Sequence, residues 1–123
     1  MTGWTGAELQ QIGAADELHV APRRRDGSLR GPVTIWVVRS GEDIYIRSVR
    51  GPAGGWFRGV QDRHEGRIEA GGIGKDVTFI DVTDGIDEAI DTAYREKYSY
   101  FPSAVDHITS PEARSTTLKV VPR

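Results

Sequence analysis

The chain has 123 residues, 37% hydrophobic and 28% charged, which fits a single globular domain over residues 1–123 rather than a disordered segment. A formal net charge of −2 gives it no general attraction for nucleic acid or an acidic membrane, and the absence of cysteine excludes disulfides, thiolate metal sites and cysteine nucleophiles. The opening "MTGWTGAELQ" lacks the basic start and apolar run of a signal peptide, and no apolar run approaches the roughly 20 residues needed to span a bilayer, so a cytoplasmic location is expected.

Thr5 and Glu8 form a T-x-x-E capping box, which predicts a short helix from about Gly6 to Ile12, stopped by Gly13. "DELHVA" then alternates, with Leu18 and Val20 on one face and Glu17 and His19 on the other, as a half-buried strand does. Asp26-Gly27 within "RRRDGSLRG" is a hairpin signal between two strand-like runs. "PVTIWVVRS" is the most β-prone run of the chain and reads as one strand. Gly41-Glu42-Asp43 turns it into "IYIRSV", where Ile44 and Ile46 point one way and Tyr45 and Arg47 the other.

"WFRGVQDRHEG" reads as one or two helical turns, and "RIEAGG" and "DVTFIDV" as two further strands. The clearest helix is "GIDEAIDTAYREKY", capped by Asp84, with Ile86, Ala89, Ile90, Ala93 and Tyr94 on one apolar stripe and Asp91 four residues before Arg95 as a surface pair. After a loop, "SPEAR" adds a helical turn and "TTLKVVP" a last strand. Six strands with a few short helices predict an α+β fold, a small, strongly curved and mostly antiparallel sheet closed into a barrel. Val33, Ile35, Ile44, Ile46, Val77 and Phe79 are expected to share its core. Trp36 and Tyr45 are expected on the outer side, where a second copy would cover them in a two-fold homodimer.

Several motifs fail on inspection. "AGGIGKD" has Glu69 where a Walker loop needs its first glycine and Asp76 where it needs a hydroxyl, so it reads as a glycine-rich strand connection. His19, His64 and His107 have no partner at metal-ligand spacing, and no metal is expected. No serine sits in a Gly-x-Ser-x-Gly elbow. Tyr94, Tyr98, Tyr100 and Phe101 read as helix-end packing before they read as catalytic phenols.

"IYIRSVRGPAGGWFRG" (residues 44–59) carries more information. Arg47 leaves the core face, Ser48 ends the strand, and Arg50 precedes Gly51, Gly54 and Gly55, which let a backbone approach a ligand closely. Trp56, Phe57 and Arg58 open a helical segment whose free amides favour an anion. Arginine suits phosphate because its planar fork reaches two oxygens at once. The solvated edge of an ordinary hairpin explains the same arginines equally well.

The run "VTIWVVRSGEDIYIRSVRGPAGGWFRGVQDRHEGRIEAGG", with "DTAYREKY" and the closing "EARSTTLKVVPR", resembles a family of small bacterial proteins of unknown function over nearly the whole chain. More distantly, the order of elements is similar to the flavin-binding split β-barrels, among them the pyridoxamine-phosphate oxidases and the deazaflavin-dependent nitroreductases. That resemblance implies a split β-barrel of about six strands with short peripheral helices, an FMN or deazaflavin cofactor, and a site completed near a homodimer interface. Residue by residue it implies that Arg47, Ser48, Arg50 and Gly51 take the cofactor phosphate, with Trp56 and Arg58 at the helix start, while Thr34 and Trp36 lie beside the ring. "RDGSLRG" and "RHEG" depart from the Gly-Arg-x-Ser-Gly-like and Asn-Pro features of the deazaflavin enzymes. The expected function is a flavin- or deazaflavin-linked oxidoreductase transferring hydride through the bound ring. The competing class is a cofactor-free small-ligand binding or interaction module on the same barrel; neither reading calls for nucleic acid or membrane as partner.

Overall fold

The computed structural model describes residues 3–82 and 85–123. Helix α1 (Gly6–Ala14) begins as its capping box requires: the Thr5 hydroxyl accepts the Glu8 amide at 3.1 Å and the Glu8 carboxylate accepts the Thr5 amide at 2.9 Å. Strand β1 (Leu18–Pro22) buries Leu18 and Val20 and exposes His19. The turn at Asp26-Gly27 reverses the chain, with Gly27 at φ +90° and the Asp26 carboxylate accepting the Ser28 amide at 2.9 Å. The chain returns as β2 (Val33–Ile35), antiparallel to β1.

"PVTIWVVRS" is not one strand. Its second half forms β3 (Val38–Ser40), which pairs with β4 (Asp43–Ile46). With β5 (Glu65–Ala70), β6 (Ile73–Asp81) and β7 (Leu118–Pro122) they make a seven-stranded antiparallel sheet ordered β2-β1-β5-β6-β7-β4-β3. The two halves of one run therefore lie on opposite edges of the sheet. Ile35 and Val38 are three residues apart and so within about 11 Å. Only a sheet curled almost onto itself brings its outer edges that near, and the fold is an α+β split barrel.

The barrel interior holds Leu9 and Ile12 of α1 with Leu18, Val20, Ile44, Ile46, Ile68, Val77, Phe79, Leu118 and Val120. Four of the six expected core residues are among them. Val33 is 40% exposed and Ile35 only partly buried, because both sit on a three-residue edge strand that nothing covers on its outer side.

A second apolar cluster forms on the outside of β3 and β4. Val38 and Tyr45 pack there against Ile90, Tyr94 and Tyr98 of α3 (Asp87–Lys97) and against Val105 and Ile108 of α4 (Pro102–Ile108). Tyr45 does leave the barrel core, as alternation requires, but the helices bury it, which removes it from any outer aromatic patch. Helix α4 replaces the expected loop; its legible signals are Pro102 in the first turn and Val105 and Ile108 three residues apart. Asp84, the expected cap of α3, lies outside the described residues. Helices α2 (Gly55–Arg63) and α5 (Pro111–Arg114) complete the fold. Among the described residues, no helix is long and apolar enough to cross a membrane.

Candidate functional site

A cavity of about 580 Å³ opens at the split of the barrel. Val33, Thr34, Ile35 and Trp36 form one wall, residues 47–50 after β4 the opposite one, and Gly54, Gly55 and Trp56 at the start of α2 one end. Ala104 and Ile108 of α4 close over it. Aliphatic and aromatic side chains dominate the lining, and its polar groups gather where β4 runs out.

Buried hydrogen bonds set the shape of that polar end. The Ser48 amide donates to the Thr116 hydroxyl at 2.8 Å, and the Ser48 hydroxyl donates to the Gly51 carbonyl at 2.8 Å. Gly51 takes φ +71° in a 3-10 turn over Gly51–Ala53, a conformation that favours glycine. Gly54 packs so closely that a Cβ there would lie 2.2 Å from Ser48 Oγ. The turn delivers the chain into α2 with Gly54 as a cap that offers no side chain to the first-turn amides. Those amides, with the positive end of the helix behind them, are donors beside the cavity. Arg50 is exposed at the same end, and among the described residues no carboxylate pairs with it.

Arg47 has a different role from the one its sequence position implies. Its side chain is fully withdrawn from water, and every nitrogen faces protein. Nε donates to the Thr117 hydroxyl at 2.9 Å; NH1 donates to Asp91 at 2.5 Å and to the Ile108 carbonyl at 3.2 Å; NH2 donates to the Asp87 carbonyl at 3.3 Å. Asp91, 1% exposed, is held on its other oxygen by Arg114, whose Nε donates at 2.9 Å. Its expected partner Arg95 stands farther off at 3.9 Å. The arginine predicted to grip a ligand is thus a buried tie between β4, α3, α4 and α5, because α3 and α4 cover the face toward which it points.

Trp36 supplies the aromatic wall. Its ring stacks on Tyr98 with centroids 3.8 Å apart and planes within 4°, and Phe101 tilts against it at 6.0 Å. Burial pushes the Tyr98 hydroxyl up to about 12 and raises the deeper Tyr94 hydroxyl further, so both phenols stay protonated near neutrality. Among the described residues, no group of three His, Asp or Glu side chains is placed to hold a metal.

The model of a bacterial family, described as "uncharacterized protein conserved in bacteria (DUF2255)", matches residues 8–120. The chain belongs to DUF2255. No curated protein matches it by sequence. Solved structures show the likeness of fold. An F420-H2-dependent reductase superposes with a TM-score of 0.62 at 13% identity, over 86% of this chain and 93% of the other. A conserved hypothetical protein from Mycobacterium tuberculosis gives 0.60 at 11% identity, over 98% and 80%. A FAD-binding protein from Mesorhizobium loti gives 0.56 at 13% identity, over 97% and 88%. At such identities the likeness establishes that this DUF2255 chain shares the fold of these three structures, and nothing beyond the fold.

Of the eight residues singled out from the sequence, Thr34, Trp36, Arg47, Ser48, Arg50 and Trp56 line the cavity. Gly51 and Arg58 do not. Gly51 packs against Glu112, where a Cβ would lie 2.9 Å from the Glu112 Cβ, and Arg58 is exposed beyond the first residues of α2. Ala104 and Ile108 were not anticipated, because the helix that carries them was read as a loop.

Proposed function

We propose that this DUF2255 protein binds a ring-bearing phosphate ester of the flavin or deazaflavin class and serves as an oxidoreductase. The observation that carries the reading is the pairing of a helix N-terminus without a side-chain cap and Arg50, which pairs with no carboxylate among the described residues, at one end of a mainly apolar cavity. Free amides and a guanidinium suit a phosphate, and a cavity of about 580 Å³ lined by Trp36, Ile35 and Ile108 suits a flat ring. The shared fold with an F420-H2-dependent reductase and a FAD-binding protein supports the same class.

In this reading Arg50 and the first amides of α2 hold the phosphate. Arg47 and Ser48, whose hydrogens are engaged within the protein, keep the loop in place instead of touching the ligand. Thr34 and Trp36 bound the ring, and Ala104 and Ile108 exclude water above it. Such a ring, when bound, supplies hydride transfer. A second copy completes the site in the same proposal, packing on the exposed apolar side chains Val33, Val49 and Phe101, two of which line the cavity.

Titration with FMN and with a deazaflavin, followed by absorbance and ligand fluorescence, tests the reading. Arg50→Ala is expected to weaken binding by about ten- to a hundredfold, the worth of one charge-assisted contact. A wild-type protein that takes up neither compound, or an Arg50→Ala variant that binds as well as wild type, overturns it.

A further inference from the structure

We propose that Tyr98 and Lys97 are positioning residues: from the end of α3 they clamp the Val37 peptide and so fix Trp36 in the wall of the cavity. That Trp36 contacts a ring rests on the function proposed above; the clamp itself does not.

The clamp answers a structural need. Trp36 and Val37 cross between opposite edges of the sheet, outside both ladders, and a buried peptide there needs hydrogen-bond partners. The Val37 amide donates to the Tyr98 hydroxyl at 3.2 Å, and the Val37 carbonyl accepts from Lys97 Nζ at 2.7 Å. The Tyr98 hydroxyl in turn donates a hydrogen bond to the Asp16 carbonyl at 2.8 Å, anchoring the clamp to the segment before β1. Its ring meanwhile lies flat on the Trp36 indole. Two adjacent residues thus hold the backbone that follows Trp36 and one face of its side chain.

The clamp is built to respond to pH. Desolvation lowers Lys97 to about 8, against the opposing pull of Asp16, and its Nζ stands 5.2 Å from the Tyr98 ring centre. The other charges facing this corner are Asp16 and Glu17, which precede β1. As pH rises through 8 the ammonium becomes an amine, and its bond to the Val37 carbonyl loses its charge assistance. Affinity for a ring ligand therefore falls over the range in which relief of the buried charge makes the fold more stable. A lysine with a merely structural role would move affinity and stability together.

The test follows the Trp36 indole N–H resonance, assigned with Trp36→Phe, in wild type, Tyr98→Phe, Lys97→Arg and Lys97→Met. In wild type it should shift with a midpoint near pH 8. In Lys97→Arg it should stay flat, because guanidinium keeps its charge, and in Lys97→Met, which has no donor for the Val37 carbonyl, it should be flat and displaced from the low-pH position of wild type. Tyr98→Phe should displace it at every pH and weaken FMN or deazaflavin binding by about three- to tenfold, the worth of one neutral hydrogen bond. An indole resonance untouched by both Tyr98→Phe and Lys97→Met overturns the clamp, and one that is flat in wild type through pH 8 overturns its response to pH. If wild type binds neither compound, the functional reading fails while the indole resonance still decides the clamp.

Discussion

Arg47 and Asp91 meet at 2.5 Å with both side chains withdrawn from water, one at the end of β4 and the other in the middle of α3. Burying such a pair is expensive and is offset only when geometry and further hydrogen bonds satisfy both ions, as Thr117, Ile108 and Arg114 do here. Breaking it leaves an uncompensated buried charge. Asp91→Ala is expected to lower stability by about 3–5 kcal/mol, read from a denaturant midpoint, whereas Arg47→Met combined with Asp91→Leu should recover much of that loss. A single variant with an unmoved midpoint would show that the pair does not tie the sheet to its helices.

The barrel core and the edge strand should respond differently to truncation. Ile46 is fully buried on β4, so Ile46→Ala is expected to cost about 2–5 kcal/mol through lost burial and a cavity. Val33, 40% exposed on β2, should tolerate Val33→Ala within about 0.5 kcal/mol. Equal losses at the two sites would mean that Val33 is buried, in the core or against a second copy.

Two adjacent glycines separate close packing from free space. Gly54→Ala forces a methyl against Ser48 Oγ, strains the Ser48–Gly51 bond and should cost about 1–3 kcal/mol. Gly55→Ala meets nothing within 4 Å and should leave the unfolding midpoint within about 0.5 kcal/mol of wild type. Equal sensitivity at both positions would rule out the tight turn described for residues 48–54.

Lys97 gives stability a pH dependence whose sign follows from proton binding. Burial lowers it from its ordinary 10.5 to about 8, so between those values the unfolded chain holds a proton that the folded chain has released. Folding then becomes more favourable as pH rises through 8, and the burden of the buried charge is fully present below it. Unfolding midpoints of wild type and Lys97→Met, compared between about pH 7 and pH 10, should shift in favour of wild type at the higher pH. A constant difference would mean that Lys97 is solvated.

Local chemistry alone was enough for much of this fold. The capping box fixes where α1 begins, alternation fixes which faces of β1 and β4 turn inward, and helical spacing marks Ile90 and Tyr94 as the buried side of α3. Each is a contest within a few residues, so neighbouring side chains decide it. The loop of residues 47–50 and the start of α2 were legible as a polar turn between strand and helix for the same reason.

Long-range packing decided the rest. β-propensity makes residues 33–40 extended, and β2 pairs back with β1 while β3 pairs forward with β4; only β5, β6 and β7, far along the chain, place those two hairpins at opposite edges of one sheet and leave Trp36 and Val37 to bridge the gap. Alternation sends Tyr45 and Arg47 out of the barrel; whether that side meets water depends on α3 and α4, dozens of residues later. That covering turns Arg47 from a free cation into a buried tie and leaves Arg50 as the charge at the cavity. A side chain's direction is a property of its own strand, whereas its exposure belongs to whatever packs over it, and only the tertiary structure supplies that.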